Sequence, residues 1–355
     1  MTIEVVQHSF GRPGSGGPIV ALERLLANSK REFAVISQVE PANGINFSLI
    51  RRFRKELIAH RPSLLHVRGL GNEGFHAVVA ARLAKVPKIL VSIHGTHRDL
   101  KSPQNFWKNW IVRAILEPAT LKLATHIATV CEFAAERDFL LPFRSKFVGV
   151  VPNGVEVFPL YDTRAEVKKE LGIPFDELLC VCVSRLTLEK GYGVLADALR
   201  LQDEKCLRFS IVIVGGGDDS GSIRALFKGL RNIRVIFVGH QSNVVRFLAA
   251  SDLFVFPSLH ENLSNALIEA LSFGLPVIAT AVGGNVEVIN NGGGVLVNPS
   301  EPLELADAIN SLLEDSVLRK EFSHQARCNV VENYSLKKMV SRWNEIYDGL
   351  LGSKS

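Results

Sequence analysis

The 355-residue chain has five cysteines, at 131, 180, 182, 206 and 328, an odd number with no C-x-x-C pair among them. Neither a disulfide framework nor a zinc site is therefore expected, and the cysteines read as small buried hydrophobes in a reducing compartment. No segment approaches the roughly 18 consecutive apolar residues of a membrane span, and MTIEVVQHSF lacks a basic region followed by a long apolar run. Export and membrane crossing are not expected, which leaves a cytoplasmic location. No cluster of His, Asp and Glu has metal-ligand spacing, and Asp218–Asp219 is not an Asp-x-Asp motif, so no bound metal is expected. Zinc-finger spacing, RNA-binding aromatic motifs and basic repeats are lacking as well, which argues against nucleic acid as a partner.

What is present is the profile of a soluble globular protein: 47% hydrophobic and 22% charged residues, with 28 Gly and 15 Pro. The length suits two domains of about 150 to 200 residues better than one core. Charge divides unevenly between them. Residues 1–150 hold 21 Lys and Arg against 11 Asp and Glu, whereas residues 151–355 hold 20 against 25. A basic first half fits an anionic membrane surface or a phosphorylated acceptor.

Short apolar runs of strand length alternate with amphipathic stretches of helix length. Strands are expected at 3–7, 33–37, 64–67, 89–93, 126–130 and 147–150, then at 179–184, 209–214, 235–238, 253–256, 277–279 and 295–297. Helices are expected at 18–27, 47–60, 74–84, 104–123 and 132–141, then at 191–199, 222–230, 244–250, 264–272, 302–314 and 336–350. Strands rich in β-branched residues and separated by helices imply parallel sheets buried on both faces, hence two doubly wound α/β domains. Ligands of such domains bind beyond the carboxyl ends of the strands, so the loops that follow strands carry the interest. The domains are expected at 1–155 and 156–333, with 334–355 a terminal helix packing back toward the first, and VPNGVEVFPLYDT marks the break between them. Asn153 and Gly154 within it read as a structural turn.

The richest stretch is PSLHENLSNALIEALSFGLPVIAT, residues 257–280. A polar loop follows the strand, and Ser264 is placed to cap a helix stopped by Gly274 and Pro276. The amides around Leu263, Ser264 and Asn265 then form an anion-favouring helix start. Glu261 precedes that helix and Glu269 lies inside it. A carboxylate offers two acceptor oxygens to sugar or ribose hydroxyls, although two glutamates at this spacing, taken alone, read rather as solvated surface residues. In SRLTLEKG, Arg185 and Lys190 follow the strand at 179–184, where two cations could neutralise a diphosphate, or simply be solvated. Gly14, Gly16 and Gly17 in the first loop allow close approach to a phosphate, and also suit a flexible turn. His94, in VSIHGTHRD, sits at the carboxyl end of a strand. Gly215 to Gly217 do not make a dinucleotide fingerprint, because Ser220 takes the third glycine position, and they read instead as a turn lining a nucleotide pocket.

Together these residues resemble glycosyltransferase family four, the retaining enzymes of GT-B architecture. The motifs run in family order over nearly the whole chain: the glycine loop at Gly16–Gly17, HG at His94–Gly95, PNGV at Pro152–Val155, R-L-x-x-x-K-G at Arg185–Gly191, and E-x7-E at Glu261 and Glu269. G-x-P-V-I-A-T at Gly274–Thr280 and GG-x-x-E at Gly283–Glu287 follow. Asn262 stands where the family commonly has glycine, and Cys131 where it often has serine. The resemblance implies two Rossmann-like domains facing across a cleft and a hexosyl transfer from a nucleotide diphosphate sugar, UDP-sugar favoured over GDP-sugar, with no cofactor and no metal. It implies that Arg185 and Lys190 hold the diphosphate, Glu269 the ribose and Glu261 the sugar. Leu263, Ser264, Asn265 and Gly215 would line the donor site, and His94 with the amides near Gly16 and Gly17 would act from the first domain. The implied acceptor is a saccharide or a lipid-linked saccharide of cell-surface polysaccharide assembly. A non-catalytic nucleotide-sugar-binding protein and a GT-B epimerase are the rival readings.

Residues 104–122 add a possible membrane contact. Phe106, Trp107, Trp110 and Ile111 alternate with Lys108 and Arg113 between Lys101 and Lys122, a mixture suited to an interfacial helix and equally to core aromatics with a solvated face.

Overall fold

The computed structural model describes residues 3–12, 14, 16–42, 44–96, 98, 106–157, 163–205 and 207–352, with the side chains of residues 73 and 106–108 also outside the description. The chain forms two compact units, residues 1–154 with 336–355 and residues 155–335.

The first unit begins with β1 (Val5–Phe10), α1 (Gly17–Asn28), β2 (Phe33–Gln38), α2 (Phe47–His60), β3 (Leu64–Arg68), α3 (Asn72–Leu83) and β4 (Lys88–Ile93). It continues through α4 (Phe106–Ile111), a π-helical turn at Val112–Leu116, α5 (Glu117–Leu123), β5 (His126–Thr129), α6 (Glu132–Ala135), a 3₁₀ stretch at Asp138–Lys146 and β6 (Phe147–Val150). The strands form one parallel sheet in the order β2-β1-β3-β4-β5-β6. Alternate residues face opposite layers, as strand geometry demands. On β1, Val6 joins the layer built by Phe53 and Leu57 of α2 and Leu121 of α5, while Val5 joins Leu25 of α1 on the other side.

The second unit runs α7 (Arg164–Leu171), β7 (Leu179–Val183), α8 (Tyr192–Glu204), β8 (Phe209–Val214), α9 (Ser220–Leu226), β9 (Ile233–Gly239) and α10 (Val245–Ala250). Then come β10 (Leu253–Phe256), α11 (Asn265–Ser272), β11 (Val277–Thr280), α12 (Gly284–Asn290), β12 (Gly294–Val297), α13 (Pro302–Glu314) and α14 (Ser316–Asn329). Its parallel sheet has the order β12-β11-β10-β7-β8-β9. All six residues of β8 are buried, the pattern of a strand covered on both faces. Leu179 and Val181 of β7 face α7, α10 and α11, and Cys180 and Cys182 face α8 and α13.

The last helix, α15 (Leu336–Leu351), belongs to the first unit, where Met339, Trp343 and Tyr347 pack with Val5, Leu25 and Leu64. The junctions fall between Gly154 and Val155 and between Ser335 and Leu336. Val155 bridges Ser335 and its amide donates to Tyr334 at 2.9 Å, which assigns Val155, Tyr334 and Ser335 to the second unit, one to two residues from the boundaries expected at 155 and 334. Asn153 is buried and the Gly154 carbonyl accepts from Arg24, a structural setting for the PNGV turn.

Several elements differ from expectation. β1 ends three residues later, at Phe10, because its whole length pairs with β2. The helix expected over 104–123 is α4, a π-turn and α5, residues 104 and 105 lying outside the description. Its break accommodates Glu117, fully buried and bonded at 2.9 Å to Arg98. Cys328 is exposed on α14 rather than buried, whereas Cys131, Cys180 and Cys182 are buried; Cys206 lies outside the described residues.

Candidate functional site

In the second unit the strand order reverses between β7 and β10, so the loops that follow them lead to helices on opposite faces of the sheet, which marks the usual ligand position in an open parallel sheet. The first loop carries Arg185 and Lys190, the second Glu261, Leu263 and Ser264. Backbone contacts hold the loops together. Gly191 has φ 71°, and a Cβ there would stand 1.8 Å from the Pro257 carbonyl oxygen, so only glycine allows this approach. Beside it the Leu259 amide donates to the Glu189 carbonyl at 2.9 Å.

This zipper places Lys190 Nζ 2.6 Å from Glu261 Oε1, with side chains only 13% and 11% exposed. Ser258 Oγ donates to the same carboxylate oxygen at 2.8 Å. A buried carboxylate is expensive without partners, and here it has an ammonium and a hydroxyl. Arg185 is more exposed and pairs with Glu189, four residues on in the same loop, at 3.1 Å. Such a pair contributes little to stability and leaves the guanidinium accessible.

The remaining expected residues of the second unit lie on the neighbouring loops and on α11. Ser264 caps α11, its hydroxyl accepting from the Leu267 amide at 3.3 Å, so the first turn of the helix starts just beyond β10. Glu269 lies on α11, half-buried. The Asn262 carbonyl accepts from the Gly284 amide at 2.7 Å, tying the loop after β10 to the start of α12 and to the GG-x-x-E segment that contains Glu287. Gly215, at φ 153°, lies where a Cβ would meet the Ser184 carbonyl oxygen at 1.9 Å. It therefore lets the loop after β8 press on the base of the Arg185 loop.

In the first unit, a cavity of about 480 Å³ opens where the loops after β1, β3 and β4 converge. Pro18 and Ile19 of α1, His94, Gly95, Arg68 and Gly69 line it. Gly16, at φ 82°, is the N-cap of α1 and Gly17 its first residue. Pro18, directly after the glycine loop, thus lines the same cavity as His94, whereas Gly16 and Gly17 are not part of its lining. His94 Nε2 lies 3.2 Å from Ser92 Oγ. Burial, and then the charge of Arg68, lower its pKa to about 3, so the ring is neutral at physiological pH. Arg68 is a residue that sequence reasoning missed, buried to 4% exposure and reaching the cavity from the end of β3. Its signal was available as an arginine closing a strand, apolar but for His66, in front of Gly69. Ser258 gave no such signal. Among the described residues, no group of three or more His, Cys, Asp or Glu could hold a metal ion.

Comparison with known proteins identifies the family. Residues 12–157 match the family described as Glycosyltransferase Family 4, and residues 163–328 match Glycosyl transferases group 1. The chain is 33% identical over 269 residues to N-acetyl-alpha-D-glucosaminyl L-malate synthase of Bacillus anthracis, covering 74% of this chain and 68% of the relative. It is 26% identical over 326 residues to UDP-Gal:alpha-D-GlcNAc-diphosphoundecaprenol alpha-1,3-galactosyltransferase of Escherichia coli, covering 87% and 82%. Its fold is that of a glycosyltransferase from Rickettsia africae, with a TM-score of 0.78 at 21% identity and 99% of both chains covered. Motifs, fold and relatives converge, and the chain belongs to glycosyltransferase family four, a glycosyltransferase with the two Rossmann-like domains of the GT-B fold.

Proposed function

We propose that this enzyme transfers a hexosyl residue, with retention of anomeric configuration, from a nucleotide diphosphate sugar held by the second unit to a saccharide or lipid-linked saccharide acceptor. The observation that carries the reading is the Lys190–Glu261 pair at the switch point of the sheet. An ammonium has three N–H donors, so Lys190 can hold Glu261 and a phosphate oxygen together. Arg185 supplies the second cation, Glu269 meets the ribose hydroxyls, and Glu261 meets the sugar. Leu263, Ser264, Asn265 and Gly215 line the donor, while Gly16, Gly17 and His94 serve the sugar and acceptor in the first unit.

In the reaction the bond between the anomeric carbon and the β-phosphate oxygen breaks, and a bond from that carbon to the acceptor oxygen forms on the same face. The acceptor's proton passes to the departing phosphate. Arg185 and Lys190 offset the charge that develops there, the role a metal plays in other sites. UDP-sugar is favoured over GDP-sugar, a preference supported by the donor named for the Escherichia coli relative. That relative's name also specifies a diphosphoundecaprenol-linked substrate, which supports a lipid-linked acceptor in cell-surface polysaccharide assembly. Product made from a panel of nucleotide sugars, with its anomeric configuration read from NMR coupling constants, tests the reading. Retention is expected; an inverted product or a trapped covalent sugar adduct would overturn the front-side step.

A lipid-linked acceptor calls for approach to the inner face of the cytoplasmic membrane. Trp110, Ile111 and Ile115 are exposed around α4 and the π-turn beside Arg113, and Phe47 and Ile58 are exposed on α2, which also carries Arg51, Arg54 and Lys55. Lys101 lies outside the described residues, as do the side chains of Phe106, Trp107 and Lys108. A basic face with protruding apolar residues suits an anionic interface. No helix among the described residues is long and apolar enough to cross a membrane. Flotation with anionic vesicles is expected to carry the protein, and absence from the lipid fraction would contradict peripheral contact.

A further inference from the structure

Six polar side chains of the first unit form one continuous hydrogen-bonded line through its interior. Arg68 Nη1 donates to Gln7 Oε1 at 2.7 Å, and Gln7 Nε2 donates to the Tyr347 hydroxyl at 3.0 Å. That hydroxyl lies 2.7 Å from His66 Nδ1. His66 Nε2 lies 2.9 Å from Ser92 Oγ, which in turn lies 3.2 Å from His94 Nε2. Gln7, His66, Ser92 and Tyr347 are fully buried. The sheet aligns them: Gln7 on β1 is in register with His66 on β3, and Arg68 on β3 with Ser92 on β4, while Tyr347 comes from α15.

The line has one consistent direction. A guanidinium has only donors, so the Gln7 atom facing Arg68 is the carbonyl oxygen and the amide nitrogen faces Tyr347. The Tyr347 oxygen accepts from Gln7, which leaves its single proton for His66 Nδ1. His66 is neutral, because burial and then the charge of Arg68 hold its pKa well below the usual imidazole value. Its own proton therefore sits on Nε2 and is donated to Ser92. The Ser92 proton goes on to His94 Nε2. A neutral His94 that accepts at Nε2 carries its proton on Nδ1, a buried atom with no hydrogen-bond partner among the described residues.

We propose that Tyr347, acting through His66 and Ser92, is a positioning residue that holds His94 as the Nδ1–H tautomer, so that the only proton the ring can offer a substrate is the one on Nδ1. The proposal rests on the reading that His94 serves the sugar or acceptor. A carboxylate or carbonyl behind a functional imidazole commonly sets its tautomer, and here a relay of two hydroxyls and a second imidazole does so. It also makes the C-terminal helix part of the machinery of the first unit, although Tyr347 is 281 residues from His66.

Long-range proton–nitrogen-15 correlation spectra of the histidine-labelled full chain read both tautomers directly, with His66→Gln and His94→Gln supplying the assignments. The expected spectrum shows His66 protonated at Nε2 and His94 at Nδ1. In Ser92→Ala, His66 keeps its pattern and His94 moves toward the Nε2–H form that free imidazole prefers. Ser92→Ala and Tyr347→Phe should each lower kcat about tenfold, the scale of lost support behind a site residue, with donor KM unchanged. Because both act through one relay, the double variant should be no slower than the slower single. Wild-type His94 protonated at Nε2, or additive losses in kcat, would overturn the relay. Tautomers as expected with kcat unchanged in both variants would leave the relay standing and overturn its service to the reaction, and with it the role given to His94.

Discussion

Lys190 and Glu261 lie 71 residues apart in sequence and 2.6 Å apart in space, joined across the two loops that diverge at the switch point of the second sheet. Each is only slightly exposed, so removing either side chain leaves the other buried without its partner. This mutual dependence separates their roles experimentally.

On the proposed assignment Lys190→Ala removes a phosphate partner as well as the partner of a buried carboxylate, and is expected to lower kcat/KM by roughly 10² to 10³. Glu261→Gln keeps the shape and removes the charge, and should raise donor KM more than it lowers kcat. Steady-state kinetics with the preferred nucleotide sugar distinguish these patterns; equal and small effects from both substitutions would contradict the assignment.

The backbone that builds the pair is itself testable. Gly191→Ala forces a Cβ into the Pro257 carbonyl at a positive φ and is expected to destabilise the protein by about 3 kcal/mol or more. Gly193, two residues on in α8, has open space around its Cβ position, and Gly193→Ala should be neutral or stabilising by up to about 1 kcal/mol. Urea unfolding of the two variants reads the contrast.

Stability should also depend on acid through the buried histidines. His94 has its pKa lowered to about 3 by burial and Arg68, and His66 is lowered well below its ordinary value by burial, Arg68, His94 and His8. Below pH 6.5 the unfolded chain takes up protons that these native rings refuse. Their contribution is therefore full above about pH 6.5 and is lost as pH falls toward 3. The urea midpoint should drop over that window, and His94→Gln should flatten the drop.

Much of this architecture is legible in sequence because parallel strands buried on both faces read as apolar runs: Phe209–Val214 has no polar residue but Ser210, and its bounds agree with expectation. Helices without such contrast are harder to see. α7 is dominated by charge, α12 opens on glycines that read as a loop, and α14 follows α13 with only Asp315 between them, which caps the second helix by accepting from Val317 and Leu318 amides. Cys328 is exposed because it sits on the outer side of that unforeseen helix.

The site divides in the same way. Ser264 as a helix cap follows from local spacing, since a cap acts within one turn. The contacts that give Lys190, Glu261, Arg68 and Tyr347 their settings join distant segments, and no local pattern encodes which strand lies beside which. Strand order supplies that information by placing β7 beside β10 and β1 beside β3.

The most direct test of the account is calorimetric titration of the wild-type chain and of Arg185→Ala and Lys190→Ala with UDP. Two cations on the diphosphate predict that the wild type binds and that each variant binds at least about tenfold more weakly, in line with the loss of a charge-assisted hydrogen bond. Undiminished affinity in both variants would contradict the placement of the donor diphosphate at the switch point of the second sheet.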